Sequence, residues 1–127
     1  MKKIFTLFLL LTSINVYALS NAEVRDAIQQ EIDSQTFPIK VDAQTEMTDM
    51  FLTIRGVTLE YKIGKLGDSL PSTRGLLSFI KRNSVNSYCN APMFDWYKTN
   101  DVQMFYIYYD KSDSLIGMFK VDNDDCK

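Results

Sequence analysis

Two cysteines, Cys89 and Cys126, carry the most reactive side chains in this sequence of 127 residues, which contains no histidine. Without histidine there is no Ser-His or Cys-His pair, no imidazole general base and no imidazole metal ligand. Serines such as Ser78 are interpreted as ordinary surface residues. We therefore expect no enzyme, no catalytic residues, no cofactor and no metal site.

Carboxylate pairs are the remaining candidates for acid/base chemistry. Asp42 with Glu46, or Asp49 with Glu60, could share a proton if they were buried close together. In polar strand positions we expect them to be solvated instead. The acidic segments 110–114 and 122–125 lack the central glycine and terminal glutamate of a calcium loop, so we interpret them as charged turns.

The N-terminus has the pattern of a secretory signal peptide. A basic start at Lys2 and Lys3 is followed by an apolar run over 4–11 and by small or medium residues at Val16 and Ala18. The apolar run is shorter than the roughly 20 residues of a membrane-spanning helix. We predict cleavage near Ala18, no stable membrane anchor, and a periplasmic or secreted protein with one domain over 19–127.

Export bears on the two cysteines, because thiols in an oxidising compartment tend to pair. Two cysteines allow a single intramolecular bridge. The competing interpretations are a redox pair, which has no C-x-x-C motif here, and a metal site, which has no histidine to complete it. We predict a structural disulfide between Cys89 and Cys126.

The charge of the mature chain argues against one class of partner. Residues 19–127 carry 12 basic and 16 acidic side chains, a formal charge of −4. A nucleic-acid-binding domain of this size would carry a basic stripe instead. We expect no nucleic-acid partner.

Hydrophobic periodicity predicts an α+β fold in which strand hairpins precede and follow the central helices along the chain. The predicted helices cover 20–35, 71–88 and a short segment that begins at Pro92. The predicted strands cover 37–41, 47–54, 57–63, 102–109 and 115–121. We expect an antiparallel sheet of four to five strands, packed on one face by two or three helices.

Several short segments together resemble a known family. Phe37-Pro38-Ile39-Lys40 follows the first helix, Cys89-Asn90-Ala91-Pro92 precedes an aromatic strand, Tyr109-Asp110 opens a turn, and Cys126 is the penultimate residue. This layout resembles the disulfide-stapled pilotins of type II secretion systems and a broader group of small exported bacterial proteins. The resemblance implies a non-enzymatic chaperone for the C-terminal tail of an outer-membrane secretin. Those pilotins are typically lipoproteins, whereas no cysteine stands near the predicted cleavage point here.

Aromatic residues concentrated over 94–109 are the candidate binding surface, because aromatics are enriched in binding hot spots. Strand alternation separates the aromatics of 102–109 into two rows, one of which is left outside or under a helix. The candidate partner-binding residues are Trp96, Tyr97, Tyr106 and Tyr108.

Two functions fit these observations. The first is a soluble exported protein-binding module, a pilotin-like accessory protein or chaperone for an envelope or secretion component. The second is an immunity protein or inhibitor of an exported toxin or cell-wall hydrolase, which would project a polar loop such as 64–69 or 110–114. A small hydrolase would need a cleft with paired carboxylates of perturbed pKa. In the first two cases the partner is another envelope or exported protein.

Overall fold

A computed structural model describes residues 21–64 and 73–127. The predicted signal peptide, residues 1–18, lies outside the described residues, as does most of the loop 64–69. The elements, in chain order, are helix α1 (Ala22–Asp33), strands β1 (Ile39–Lys40), β2 (Thr45–Leu52) and β3 (Gly56–Ile63), helix α2 (Thr73–Asn90), a 3-10 turn (Pro92–Phe94), helix α3 (Asp95–Thr99), strands β4 (Gln103–Asp110) and β5 (Leu115–Val121), and a C-terminal 3-10 turn (Asn123–Cys126).

Helix α1 is fixed by its N-cap and by one apolar face. The side-chain oxygen of Asn21 accepts hydrogen bonds from the backbone N–H groups of Glu23 and Val24, at 2.9 and 3.3 Å. Asn21 is therefore the N-cap of this helix. Val24, Ile28 and Ile32 form the apolar face and are buried, so α1 is held mainly by packing.

The five strands form one sheet in the order β1-β2-β3-β4-β5. The predicted α+β class, five strands and helical layer are confirmed. The sheet is mixed rather than wholly antiparallel, because β3 and β4 pair in parallel. Parallel neighbours need a crossover connection, which α2 and α3 supply between these two strands.

The core lies between the helices and one face of this sheet. On the strand side, it consists mainly of alternate residues of β3 and β4. Helix α2 approaches β5 closely, because a side chain on Gly117 would collide with Leu77. The buried apolar residues of the core are Val24, Ile28, Ile32, Val57, Leu59, Tyr61, Ile63, Tyr88, Val102, Met104, Tyr106, Tyr108 and Val121.

The predicted disulfide is present. Cys89, at the end of α2, is bonded to Cys126 in the C-terminal 3-10 turn, with 5.4 Å between their Cα atoms. Hydrogen bonds reinforce the same region: Asn123 Nδ2 donates to the carbonyl oxygen of Lys98 at 2.9 Å, and the Tyr88 hydroxyl donates to that of Val102 at 2.9 Å. The chain after β5 is therefore tied to α2 and α3 both covalently and by polar contacts.

Candidate binding surfaces on the two faces of the sheet

Strand alternation gives the sheet two different faces. In β4 the side chains of Met104, Tyr106 and Tyr108 are buried toward the helices, whereas Phe105 and Ile107 point to the opposite, helix-free face and are partly buried. The candidate residues Tyr106 and Tyr108 therefore belong to the helical side. Each face carries a cavity, and the two cavities differ in chemistry.

The helix-free face carries an apolar cavity, which we call the open-face groove. Cross-strand register places Phe51, Thr58 and Phe105 in one row and Ile107 beside Met118 in the next. The groove has a volume of about 520 Å³. Its lining residues include Ile54, Arg55, Thr58, Phe105, Ile107, Met118 and Lys120.

Large apolar side chains of this groove reach solvent. Ile54 is 72% exposed and Met118 is 63% exposed. A sheet face that only meets water normally presents polar residues, and exposed apolar patches mark interaction sites when they are contiguous. This end of the sheet therefore has the composition of a contact surface.

Charged residues of both signs lie on the helix-free face. The charged residues lining the groove are Arg55 and Lys120, and no carboxylate from the described ranges lines it. A hydrogen bond from Lys120 to Asp122, at 2.9 Å, raises the pKa of Lys120. Asp49 and Glu60 lie opposite each other in the row of Ile107 and Met118, and Glu60 pairs with Ile107. The apolar lining is therefore bordered by Arg55 and Lys120, and these two carboxylates lie next to it along the row of Ile107.

The helical side carries a second cavity, the tyrosine cleft, with a volume of about 430 Å³. Tyr61, Tyr106 and Tyr108 line it from the sheet. Phe79 and Asn83 line it from α2, Asp42 from the turn between β1 and β2, and Phe94 from the 3-10 turn.

The tyrosine rings of the cleft stack on one another. The centroids of Tyr61 and Tyr108 are 4.8 Å apart, and those of Tyr106 and Phe119 are 5.0 Å apart. Burial raises the pKa of Tyr61 to about 12. Burial, then the neighbouring Tyr61 and Tyr106, and then the Asp42 carboxylate raise the pKa of Tyr108 above its ordinary value. The phenols therefore stay protonated and neutral at physiological pH.

Comparison with known proteins shows which solved structures share this fold. No family model and no curated protein matches the sequence significantly. Among solved structures, the pilotin EpsS of the Vibrio vulnificus type 2 secretion system matches with a TM-score of 0.62 at 14% identity, covering 81% of this chain and 87% of EpsS. The type II secretion system pilotin AspS from Vibrio cholerae matches with a TM-score of 0.59 at 12% identity, covering 88% and 93%. This chain has a pilotin fold.

The pilotin fold extends beyond proteins that are named pilotins. A Pseudomonas aeruginosa protein assigned as secreted matches with a TM-score of 0.69 at 9% identity, covering 86% of this chain and 97% of that protein. At these identities the likeness is one of fold, and the predicted resemblance is confirmed at that level. In residues 21–64 and 73–127, no helix is both long and apolar enough to cross a membrane.

Within the pilotin fold, the four predicted binding residues divide into two pairs. Tyr106 and Tyr108 line the tyrosine cleft. Trp96 and Tyr97 lie on α3, where their rings meet edge to face at 5.2 Å and Trp96 is 42% exposed. The sequence interpretation did not propose Phe105, Ile107 and Met118 as binding residues, although the alternation of β4 placed the first two on a separate row.

Ser78, which the sequence indicated as a surface residue, is exposed on α2, and so is Lys81, which stands at the S-x-x-K spacing of some Ser-Lys nucleophiles. In the turn 110–114, Asp113 forms an ion pair with Lys62 at 2.7 Å, and Asp110 accepts hydrogen bonds from the N–H groups of Ser112 and Ser114. The carboxylates of this turn are therefore engaged within the chain.

Proposed function

We propose that this chain is an exported accessory protein that binds an apolar segment of an envelope or secretion component in its open-face groove. The observation that carries this proposal is the apolar end of the helix-free sheet face, where Phe105, Ile107 and Met118 form one lining. Docking an amphipathic segment there would remove these side chains from water, which is the main source of affinity for segments bound in grooves.

The charges around the groove define the partner further. Arg55 and Lys120 border the apolar lining, and Lys120 is already paired with Asp122. A segment that combines an apolar face with an acidic residue beside Arg55 would complement both features. Opposite charges at the rim mainly orient the partner and raise its association rate, whereas buried apolar contacts determine how long it stays bound.

The likeness to EpsS and AspS supports the class of function and suggests the finer partner. Both proteins are pilotins of type II secretion systems. By analogy, the partner of this chain is a secretion component, and the C-terminal tail of a secretin is the partner that the resemblance in the sequence implies. The predicted signal peptide supports export to the compartment where such partners assemble.

Affinity capture of the mature, oxidised protein from an envelope extract tests this proposal when it is combined with two matched variants. Met118→Asp places a charge in the groove. Leu115→Asp places the same charge on the same strand, at a residue that is 56% exposed and does not line the groove. We expect the wild type and Leu115→Asp to recover the same envelope component, and Met118→Asp to lose it.

The outcome also separates the two functions that the sequence left open. Equal recovery by Met118→Asp would show that the groove is not the interface. Recovery of one exported toxin or hydrolase at a one-to-one ratio would make the protein an inhibitor instead. The turn 110–114 is a weak candidate for an inhibitory loop, because Asp113 is paired with Lys62.

A further inference from the structure

The tyrosine cleft contains three tyrosine hydroxyl groups that form no hydrogen bond within the described part of the chain. Tyr61, Tyr106 and Tyr108 are 8%, 5% and 6% exposed. Tyr88, in contrast, is fully buried and donates its hydroxyl hydrogen to Val102. For the three cleft hydroxyls, residues 21–64 and 73–127 supply no hydrogen-bond partner.

The hydroxyl oxygens of these three tyrosines open into the cleft. No fully sealed side-chain oxygen or nitrogen of the described chain lacks a hydrogen-bond partner, so the three oxygens must reach open space. All three tyrosines line the same cleft, and their rings are stacked face to face. The ring faces are therefore occupied, and the hydroxyl groups are the parts that meet the cleft.

The remaining lining of the cleft determines which molecule it suits. Phe79, Ile80 and Phe94 supply apolar walls. Asp42 is the charged residue of the lining, and no cation from the described segments joins it. One oxygen of Asp42 accepts a hydrogen bond from the N–H of Gln44 at 2.8 Å, which orients the carboxylate. The volume of about 430 Å³ lies within the roughly 300–1,000 Å³ of small-molecule sites.

We propose that the tyrosine cleft binds an alkylammonium group, with the ammonium between Asp42 and the phenol oxygens and the alkyl chain against Phe79, Ile80 and Phe94. An ammonium has three donors and no acceptor, and a carboxylate and phenol oxygens all accept hydrogen bonds. The apolar walls bury the alkyl chain at the same time. A fatty acid has the opposite charge and would be repelled by Asp42.

Three probes with the same chain length and different head charges test this proposal: octylamine, octanol and octanoate. Each is titrated into the mature, oxidised protein while the ring signals of the tyrosines are followed by NMR. We expect octylamine to bind saturably and to shift Tyr61, Tyr106 and Tyr108 but not Tyr109, which lies on the other face of β4. Octanoate should bind more weakly by at least roughly tenfold.

Matched variants locate the ammonium. Asp42→Asn retains an oxygen for the N–H of Gln44 but removes the charge, so it should reduce octylamine affinity to that of octanol. Tyr108→Phe removes one acceptor and should weaken octylamine by about fivefold without lowering stability, because that hydroxyl has no partner to lose. Tyr109→Phe is the control and should change nothing.

The results that would overturn the proposal are equally specific. Equal binding of octanoate and octylamine, no saturable binding of octylamine, or shifts confined to the open-face groove would each reject it. Competition by an acetylated, amidated Leu-Lys-Leu peptide identifies the natural source of the ammonium. Displacement of octylamine indicates a lysine side chain of a protein, and failure to displace it indicates a free amine; both results retain recognition of the ammonium.

Discussion

Removing the Cys89–Cys126 disulfide should lower the free energy of unfolding by about 4 kcal/mol. The bond joins residues 37 positions apart, and in the chain-entropy model a loop of this length restricts the unfolded chain by about that amount. The folded state of the Cys89→Ser, Cys126→Ser variant should change little, because Asn123 still donates to the carbonyl oxygen of Lys98. The effect therefore arises mainly in the unfolded state.

Equilibrium unfolding in urea, followed by circular dichroism, measures this difference. Since total stabilities of small domains are about 5–15 kcal/mol, the double variant should remain folded in water but unfold at a clearly lower urea concentration. Its unfolded state is less compact than a cross-linked one and exposes more surface, so the dependence of the free energy on urea should also become steeper.

A reductant provides the control for the same experiment. The wild type under reducing conditions should match the double variant, and the double variant should not respond to reductant. A difference below about 1 kcal/mol between the oxidised wild type and the double variant would refute the loop-entropy reasoning. It would mean that the unfolded chain already holds α2 and the C-terminal turn together without the bond.

Three further predictions concern buried residues of the core. Gly56→Ala should cost about 2–3 kcal/mol in urea unfolding, because its Cβ would collide with the backbone carbonyl oxygen of Gln103 on the parallel neighbour; an unchanged midpoint would show that the two strands can separate. Tyr88→Phe should cost about 1–3 kcal/mol, because the buried carbonyl of Val102 loses its 2.9 Å hydrogen bond; a thermal midpoint equal to that of the wild type would contradict this. The pKa of Tyr61 is raised from 10.0 to about 12, so the unfolded chain loses this proton first, and the contribution of Tyr61 to stability should fall as the pH rises from 10 through 12, by at most about 1.4 kcal/mol per pH unit. Tyr61→Phe should flatten that slope in unfolding curves recorded from pH 9 to 12, and an equal slope would contradict the assignment.

The sequence predicted the elements of this fold better than their arrangement. The 3.6-residue periodicity of Val24, Ile28 and Ile32 identified α1, and alternation identified β3. Periodicity shows which face of a strand is apolar, but it does not show which strand lies beside it. The parallel pairing of β3 with β4 depends on where α2 and α3 direct the chain, and that is a property of tertiary packing.

For the candidate binding surfaces, too, the sequence predicted the strand but not its arrangement in the fold. Both rows of β4 are apolar or aromatic, so alternation separates Tyr106 from Phe105 without showing which one faces the helices. The contact of α2 with β5 shows that the row of Tyr106 and Tyr108 faces the helices. Leu77 lies over Gly117, and Gly117 is paired with Tyr108. Asp42 and Tyr108 line the same cleft although they are 66 positions apart in the chain, and no local sequence pattern encodes that arrangement.

The parallel pairing of β3 with β4 has a consequence for how the chain is made. Every residue of β3 pairs with a partner 47 positions later, so during synthesis β1, β2 and β3 are complete well before β4 exists. In that interval β3 is an open edge that carries Val57, Leu59 and Ile63, and such an edge can pair with another chain. The disulfide encloses only the later segment, from Cys89 to Cys126. It therefore does not bring β4 to β3 any earlier. The strand at the centre of the finished sheet is therefore the segment of the nascent chain that is most open to pairing with another chain until β4 joins it.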